Sequence, residues 1–263
     1  GVRVEEGRKP VLESRLARRL EELGFDDYSQ YVRFLTAGPY QADEFEELLG
    51  RLTLNETSFW RNQAQLDVFE TLVLPNLIRD RGESKRLRIW SAGCSTGEEP
   101  YTLAMQVYRT LGARLGDWRV EILGTDISER ALAFAQEGWY TSFSFRGSSP
   151  LNTGRYFREQ GGLFRIDPTL QNMVTFERHN LSETLAARRH GVWDVIFCRN
   201  VLGHFDDDLR SRCVRMFRDQ LADDGRLFIG HADELRGTGD AFEPAESPEG
   251  LAYRKNGTDG YPA

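Results

Sequence analysis

The amino-acid sequence predicts an α/β protein, with a mostly parallel sheet preceded by a small all-α unit. Three observations point there. From Leu87 onward, short β-rich runs alternate with helical periodicities, the pattern of strand–helix–strand crossovers. Before that, roughly the first fifty residues show helical periodicity only. Between the two, Ile89-Trp90-Ser91-Ala92-Gly93-Cys94-Ser95-Thr96-Gly97-Glu98-Glu99-Pro100-Tyr101 takes a strand through a glycine-bearing loop straight into a helix. In an open α/β sheet, that junction is where ligands bind.

Leu12, Leu16, Leu20 and Leu23 share one helical face, and Gly24 is placed to stop that helix. A second helix carries Tyr28, Tyr31 and Leu35 and ends at Gly38-Pro39, and a third is expected over 42–52. These form an N-terminal helical domain over 1–52, followed by a linker and helix over 53–86. The α/β domain then occupies 87–263. Its strands are expected at 87–90, 120–125, 173–177, 193–198 and 226–230, with 251–254 closing an edge. Helices are expected at 98–112, 128–137 and 207–221, the last capped by Asp206 and followed by a turn at Asp223-Asp224-Gly225. Residues 141–171 carry Ser, Gly, Pro and aromatics without a helical period. They suggest a β-hairpin lobe inserted over one sheet edge.

With 263 residues, one large and one smaller domain are expected, and 40% hydrophobic composition can bury a real core. No run of ~20 apolar residues is present to span a membrane. No leader is expected at the start, and a chain opening on Gly1 rather than Met is expected to be a fragment or a tag-cleaved product. The net charge of -7 argues against a nucleic-acid partner. Residues 1–20 are an exception, with six basic groups against three acids, read first as a solvated face. Cys94, Cys198 and Cys213 are odd in number and widely spaced, which suggests neither a disulfide framework nor a zinc site. A reducing, cytoplasmic location is expected.

The loop's last glycine is followed by Glu98-Glu99, not by the Lys-Ser or Lys-Thr of a phosphate cradle. Two carboxylates suit a ligand carrying ammonium or sulfonium groups. Asp126 ends the second strand in Gly124-Thr125-Asp126-Ile127-Ser128, where an acid accepts from the vicinal hydroxyls of a ribose. Taken alone, it could instead cap the helix that starts near Ser128. His179-Asn180-Leu181 and Cys198-Arg199-Asn200-Val201 follow the third and fourth strands, so four strand ends converge on one crevice.

Asn55-Glu56-Thr57-Ser58-Phe59-Trp60-Arg61, the block Ile89 to Tyr101, Gly124 to Ser128, Asn180-Leu181, Phe197-Cys198-Arg199-Asn200-Val201 and Gly230-His231-Ala232-Asp233-Glu234 fall in a telling order. In these blocks the chain resembles the CheR-type methyltransferases, the chemotaxis receptor glutamate O-methyltransferases, over about 50 to 256. The resemblance implies a Rossmann-like S-adenosylmethionine-dependent methyltransferase domain with an inserted small β-subdomain and an N-terminal all-α domain. It implies S-adenosylmethionine as donor, S-adenosylhomocysteine as product, and glutamates of a chemoreceptor's cytoplasmic domain as acceptors. No nucleic acid, metal or membrane insertion is expected, and further domains of a longer chain are.

Carried over by position, Asn55, Thr57 and Arg61 would line the cofactor and acceptor site from the linker. Glu98 would contact the cofactor, Asp126 would hold the ribose, and Asn180, Leu181, Arg199 and Asn200 would line the adenosine and methionine ends. Helix capping is the alternative for Asn55 and Thr57, and core packing is preferred for Phe59 and Trp60. A glutamate acceptor, with a reference pKa near ~4.3, is already ionised at neutral pH. No general base is then required, and Arg61 is the natural group to orient a carboxylate. Where the family typically has a tyrosine before Phe205, this chain has His204, whose neutral imidazole is expected beside a sulfonium. Arg15, Arg18 and Arg19 would dock on an acidic receptor surface. His204 and the Gly1 start also leave open a weakly active or non-catalytic S-adenosylmethionine-binding regulatory module.

Overall fold

The computed structural model describes residues 9–37, 44, 45, 47, 48, 57–146, 150–230, 235, 241–245 and 252–257. Helix α1 (Lys9–Leu23) stops where the sequence predicts. Gly24 takes φ 71°, its N–H donates to Glu21 O at 3.1 Å, and Phe25 N–H donates to Leu20 O at 2.9 Å. These are the paired bonds that satisfy a helix's last carbonyls. On α2 (Tyr28–Ala37), Tyr31 is buried and its hydroxyl donates to Glu44 Oε1 at 2.7 Å. Arg19 Nε donates to the same oxygen at 2.9 Å, so Arg19 is committed inside the helical unit rather than presented for docking. Arg18 stays exposed. Of the third helix, only 44, 45, 47 and 48 lie among the described residues, and they are helical.

The linker enters a helical run made of α3 (Gln63–Val68), a π-helical turn (Phe69–Val73) and α4 (Leu74–Asp80). A seven-stranded sheet follows. Its order is β6 (Val174–Arg178), β2 (Arg119–Asp126), β1 (Arg86–Ala92), β7 (Trp193–Cys198), β8 (Leu221–Ile229), β10 (Ala252–Lys255) and β9 (Phe242–Ala245). The first five are parallel, and β10 is antiparallel to both its neighbours. From β1 the chain moves outward through β2 to β6, then returns on the other side as β7 and β8. That reversal opens a crevice at the carboxyl ends of β1 and β7.

Alternation along β1 divides the core. Leu87 and Ile89 pack with α3, α4 and α5 (Glu98–Leu111), while Trp90 and Ala92 pack with α9 (Asp207–Gln220) on the other face. Phe69 meets Phe197 edge-on at 5.4 Å, and Phe197 stacks on Phe228 at 4.3 Å between ring centroids. The linker is thereby packed onto β7 and β8. Gln65 reinforces this, its Nε2 donating to Ile229 O at 2.6 Å.

Three expectations are corrected. The strand near 251–254 does not close the sheet; β9 does, and its Pro244 suits an edge because proline cannot donate to a ladder. Asp223-Asp224-Gly225 does not separate helix from strand, because β8 begins at Leu221 directly after α9. Those residues lie in a register irregularity, with Trp193 opposite Leu221 but Val195 opposite Arg226. The 141–171 stretch is not a bare hairpin. A sheet of β3 (Trp139–Tyr140), β5 (Leu163–Ile166) and β4 (Phe157–Gln160) is joined by α7 (Pro150–Tyr156) and α8 (Pro168–Gln171), both too short to show a period.

Phe59 fastens this lobe to the linker. Its ring stacks on Phe145 at 5.0 Å and stands edge-on to Tyr140 at 4.7 Å and Phe157 at 4.9 Å. Phe59 and Trp60 are both buried, in accord with core packing. Phe197→Ala empties the centre of the aromatic column and is expected to lower unfolding free energy by about 3–5 kcal/mol. Urea unfolding followed by tryptophan fluorescence measures it.

Candidate functional site

The loop from β1 to α5 is laid over the end of β2. Gly93 N–H and Cys94 N–H both donate to Thr125 O, at 2.7 and 2.9 Å. Gly93 has φ 78°, and a Cβ there would sit 2.5 Å from Val201 Cγ2, so only glycine fits. Ser95 N–H donates to Asp126 Oδ2 at 2.8 Å, and Ser128 N–H donates to Asp126 Oδ1 at 3.0 Å. Ser128 is the residue that caps α6 (Glu129–Glu137), its Oγ accepting from Ala131 N–H. Asp126 therefore ties two loops together instead of capping the helix. Burial raises its pKa, against the pull of those backbone N–H groups. A carboxylate offers about four acceptor positions, so two bonds leave capacity for further donors.

Glu98 and Glu99 are not equivalent, which corrects the idea of two carboxylates facing a cation. Glu99 accepts from Ser91 Oγ–H at 2.7 Å and from Arg199 Nε at 2.6 Å, with both side chains largely buried. Glu98 is held by hydroxyl groups instead. Its oxygens accept from Thr96 Oγ–H at 2.6 Å and from Ser144 Oγ–H at 3.0 Å, and burial raises its pKa. A cation placed there would offset that burial.

Arg199 is buried and engaged by the protein itself. Besides gripping Glu99, its Nη1 donates to Arg61 O at 2.7 Å and so fixes the linker's backbone. Arg61 lies between Trp60 (φ 54°) and Asn62 (φ 62°). Among the described residues, five non-glycine residues have positive φ, and four of them, Trp60, Asn62, Ser95 and Asn200, lie on the segments around this crevice. Such strain, costly for a residue as bulky as Trp60, persists where the surroundings over-determine it and clusters at functional sites.

The other sequence-derived residues distribute unevenly. Asn180 Oδ1 accepts from Ser182 N–H at 3.0 Å and Ser182 Oγ–H at 2.8 Å, which shapes the turn after β6. Leu181 is buried, and its carbonyl accepts from Cys213 Sγ–H on α9. Asn200 is exposed, Thr57 half-buried, and His204 ends a short 3-10 turn (Leu202–His204) after β7. Asn55 lies outside the described residues. Ser95 Oγ and His179 Nε2, buried at these strand ends, have no hydrogen-bond partner among the described residues. Burial keeps the His179 pKa low.

Sequence reasoning missed Ser144, and also Tyr140, whose hydroxyl donates to Thr96 O at 2.9 Å. Both come from the inserted lobe, and no local signal ties them to a loop more than forty residues earlier. Among the described residues, no group of three or more His, Cys, Asp or Glu side chains could hold a metal ion, and no helix is long and apolar enough to cross a membrane.

Residues 55–251 match the CheR methyltransferase, SAM binding domain, and residues 1–53 match the CheR methyltransferase, all-alpha domain. A chemotaxis protein methyltransferase from Borreliella burgdorferi is 33% identical over 240 residues, 90% of this chain and 84% of that protein. The chemotaxis protein methyltransferase of Escherichia coli is 34% identical over 242 residues, 89% of this chain and 80% of its own length. One from Pseudomonas putida is 30% identical over 258 residues, 97% of this chain and 92% of its own.

Two outcomes follow from the buried charges. Arg199→Leu and Glu99→Leu should each cost about 3–5 kcal/mol of stability, the double variant losing less than their sum, in a denaturation cycle. The raised pKa of Glu98 means that its ionisation opposes folding. The stability of Glu98→Gln relative to wild type should therefore shift in favour of the variant as pH rises from below the ordinary glutamate range to neutrality. Parallel pH–stability curves would contradict this.

Proposed function

The chain belongs to the CheR methyltransferase family, and from that premise we propose that it methylates glutamate side chains of a chemoreceptor, forming glutamyl methyl esters. S-adenosylmethionine is the donor, bound in the domain that residues 55–251 match. The observation that carries the reading is the concentration of strained backbone around one crevice, with no room for a Cβ at Gly93 and a buried Ser95 Oγ that has no partner among the described residues.

These residues fit the cofactor. Asp126 retains acceptor positions for ribose hydroxyls, and Glu98 offers a buried carboxylate that a sulfonium or ammonium group would neutralise. Asn55, Thr57, Asn180, Leu181 and Asn200 are the residues we assign to the rest of the cofactor contacts, with Arg199 acting through Glu99 and the Arg61 carbonyl. When bound, the cofactor supplies an electrophilic methyl group activated by its own positive charge.

The protein's task is orientation. The acceptor carboxylate is ionised at neutral pH, so no residue must remove a proton. Holding it in line with the methyl group is worth roughly 7–11 kcal/mol. Arg61 is the group assigned to grip that carboxylate through two parallel hydrogen bonds. Its backbone is held by Arg199 Nη1 and flanked by two strained residues. His204 is assigned to the acceptor side, where a neutral imidazole can donate a hydrogen bond. No contact singles out the non-catalytic alternative.

The decisive assay incubates the protein with labelled S-adenosylmethionine and cytoplasmic fragments of chemoreceptors, scoring alkali-labile methyl esters. Arg61→Ala should lower turnover about 100-fold while S-adenosylhomocysteine affinity changes only a few-fold. His204→Ala should lower turnover less, again with affinity preserved. Absence of alkali-labile label with every fragment would refute the proposal.

A further inference from the structure

Glu98 carries a buried carboxylate that no cation of the described residues pairs with. It is 3% exposed, and no lysine, arginine or histidine nitrogen among those residues lies within ion-pair distance, whereas its neighbour Glu99 has Arg199. What holds Glu98 is one hydroxyl on each oxygen. Thr96 Oγ–H donates to Oε2 at 2.6 Å, and Ser144 Oγ–H donates to Oε1 at 3.0 Å. Burial raises the pKa of this group, while the two hydroxyls, its own backbone N–H and the more distant charge of Arg146 act the other way. Two hydroxyls leave part of the carboxylate's acceptor capacity unused and its charge unneutralised.

Ser144 and Arg146 both come from the inserted lobe, and the backbone of Ser144 is fixed from two sides. It lies in the 3-10 turn Ser142–Phe145, where its N–H donates to Thr141 O at 3.1 Å. Its carbonyl accepts from Phe59 N–H at 2.9 Å, and the adjacent Phe145 ring stacks on Phe59 at 5.0 Å. Tyr140 ties the same lobe to Thr96 O at 2.9 Å. These backbone and aromatic contacts would hold the turn equally well with alanine at 144. The hydroxyl is therefore not needed to place the lobe; its one printed side-chain contact is the Glu98 carboxylate.

We propose that Ser144 is a positioning residue for the methyl donor, fixing the Glu98 carboxylate in the orientation that receives the donor's cationic end. This role rests on the reading of Glu98 as the group that meets the positive charge of S-adenosylmethionine, and it makes the inserted lobe a part of the donor site. Hydrogen bonds to a carboxylate are among the stronger ones, so losing the one on Oε1 leaves that oxygen free to turn and the anion less well supported. The uncharged adenosine, assigned to Asp126, does not depend on it.

Isothermal titration calorimetry on the whole protein, without any acceptor, tests this with three probes that share adenosine. S-adenosylmethionine carries a sulfonium and an ammonium, S-adenosylhomocysteine keeps only the ammonium, and 5′-methylthioadenosine has neither. Ser144→Ala should weaken S-adenosylmethionine about tenfold and methylthioadenosine by less than about twofold, with the ligand-free Tm little changed. If S-adenosylhomocysteine weakens in step with S-adenosylmethionine, the ammonium is the group at Glu98; if it follows methylthioadenosine, the sulfonium is. Ser144→Thr keeps the hydroxyl and should bind S-adenosylmethionine within about threefold of wild type. In a Glu98→Gln background, adding Ser144→Ala should cost much less than it does in the wild type. The proposal fails if Ser144→Ala binds S-adenosylmethionine as wild type does, if all three probes weaken alike, or if the loss is undiminished in the Glu98→Gln background. Because binding is read here without methyl transfer, unlabelled receptor fragments would sink the glutamate-methylation reading and leave this one standing.

Discussion

The buried pair between Arg199 and Glu99 is the interaction on which the crevice depends. Through it the end of β7, the first turn of α5, Ser91 of β1 and the backbone of Arg61 become one hydrogen-bonded unit. Desolvating two charges offsets much of their attraction, so such a pair contributes more to placement than to net stability. Here the placement is specific. A β7 strand end with an apolar residue at 199 would still pack, but nothing would hold the linker carbonyl at the sheet's switch point.

A second junction brings in the inserted lobe. Ser144 donates to Glu98, Tyr140 donates to Thr96 O, and Phe59 N–H donates to Ser144 O at 2.9 Å while its ring enters the lobe's aromatic cluster. Linker, lobe and cofactor loop thus share side chains and cannot shift independently. The positive φ values at Trp60, Asn62, Ser95 and Asn200 are sustained by this over-determination. Rigid surroundings of this kind suit a reaction whose chemistry resides in the cofactor and whose protein contribution is alignment.

Much of the fold was legible because its signals are local. Five parallel strands, α5, α6 and α9 announced themselves by periodicity, and Gly24, Asp206 and the 89–101 loop by backbone chemistry that only certain residues satisfy. The short helices of the lobe carried no period, and β9 was hidden by Pro244, which is tolerated only because that strand is the edge.

The candidate site divides along the same line. The sequence by itself determined that Gly93, Glu98, Asp126, Asn180 and Arg199 follow strand ends of one sheet, because strand order and chain direction are written in the alternation of elements. Only the tertiary structure decided which partner each of them meets. Glu99 and Arg199 neutralise each other, whereas Glu98, the more buried of the two glutamates, is held by hydroxyls, with Ser144 arriving from the lobe. Adjacent glutamates are chemically identical in sequence. What separates them is the partner each meets across the fold, at separations of 100 and 46 residues, where no local pattern reaches.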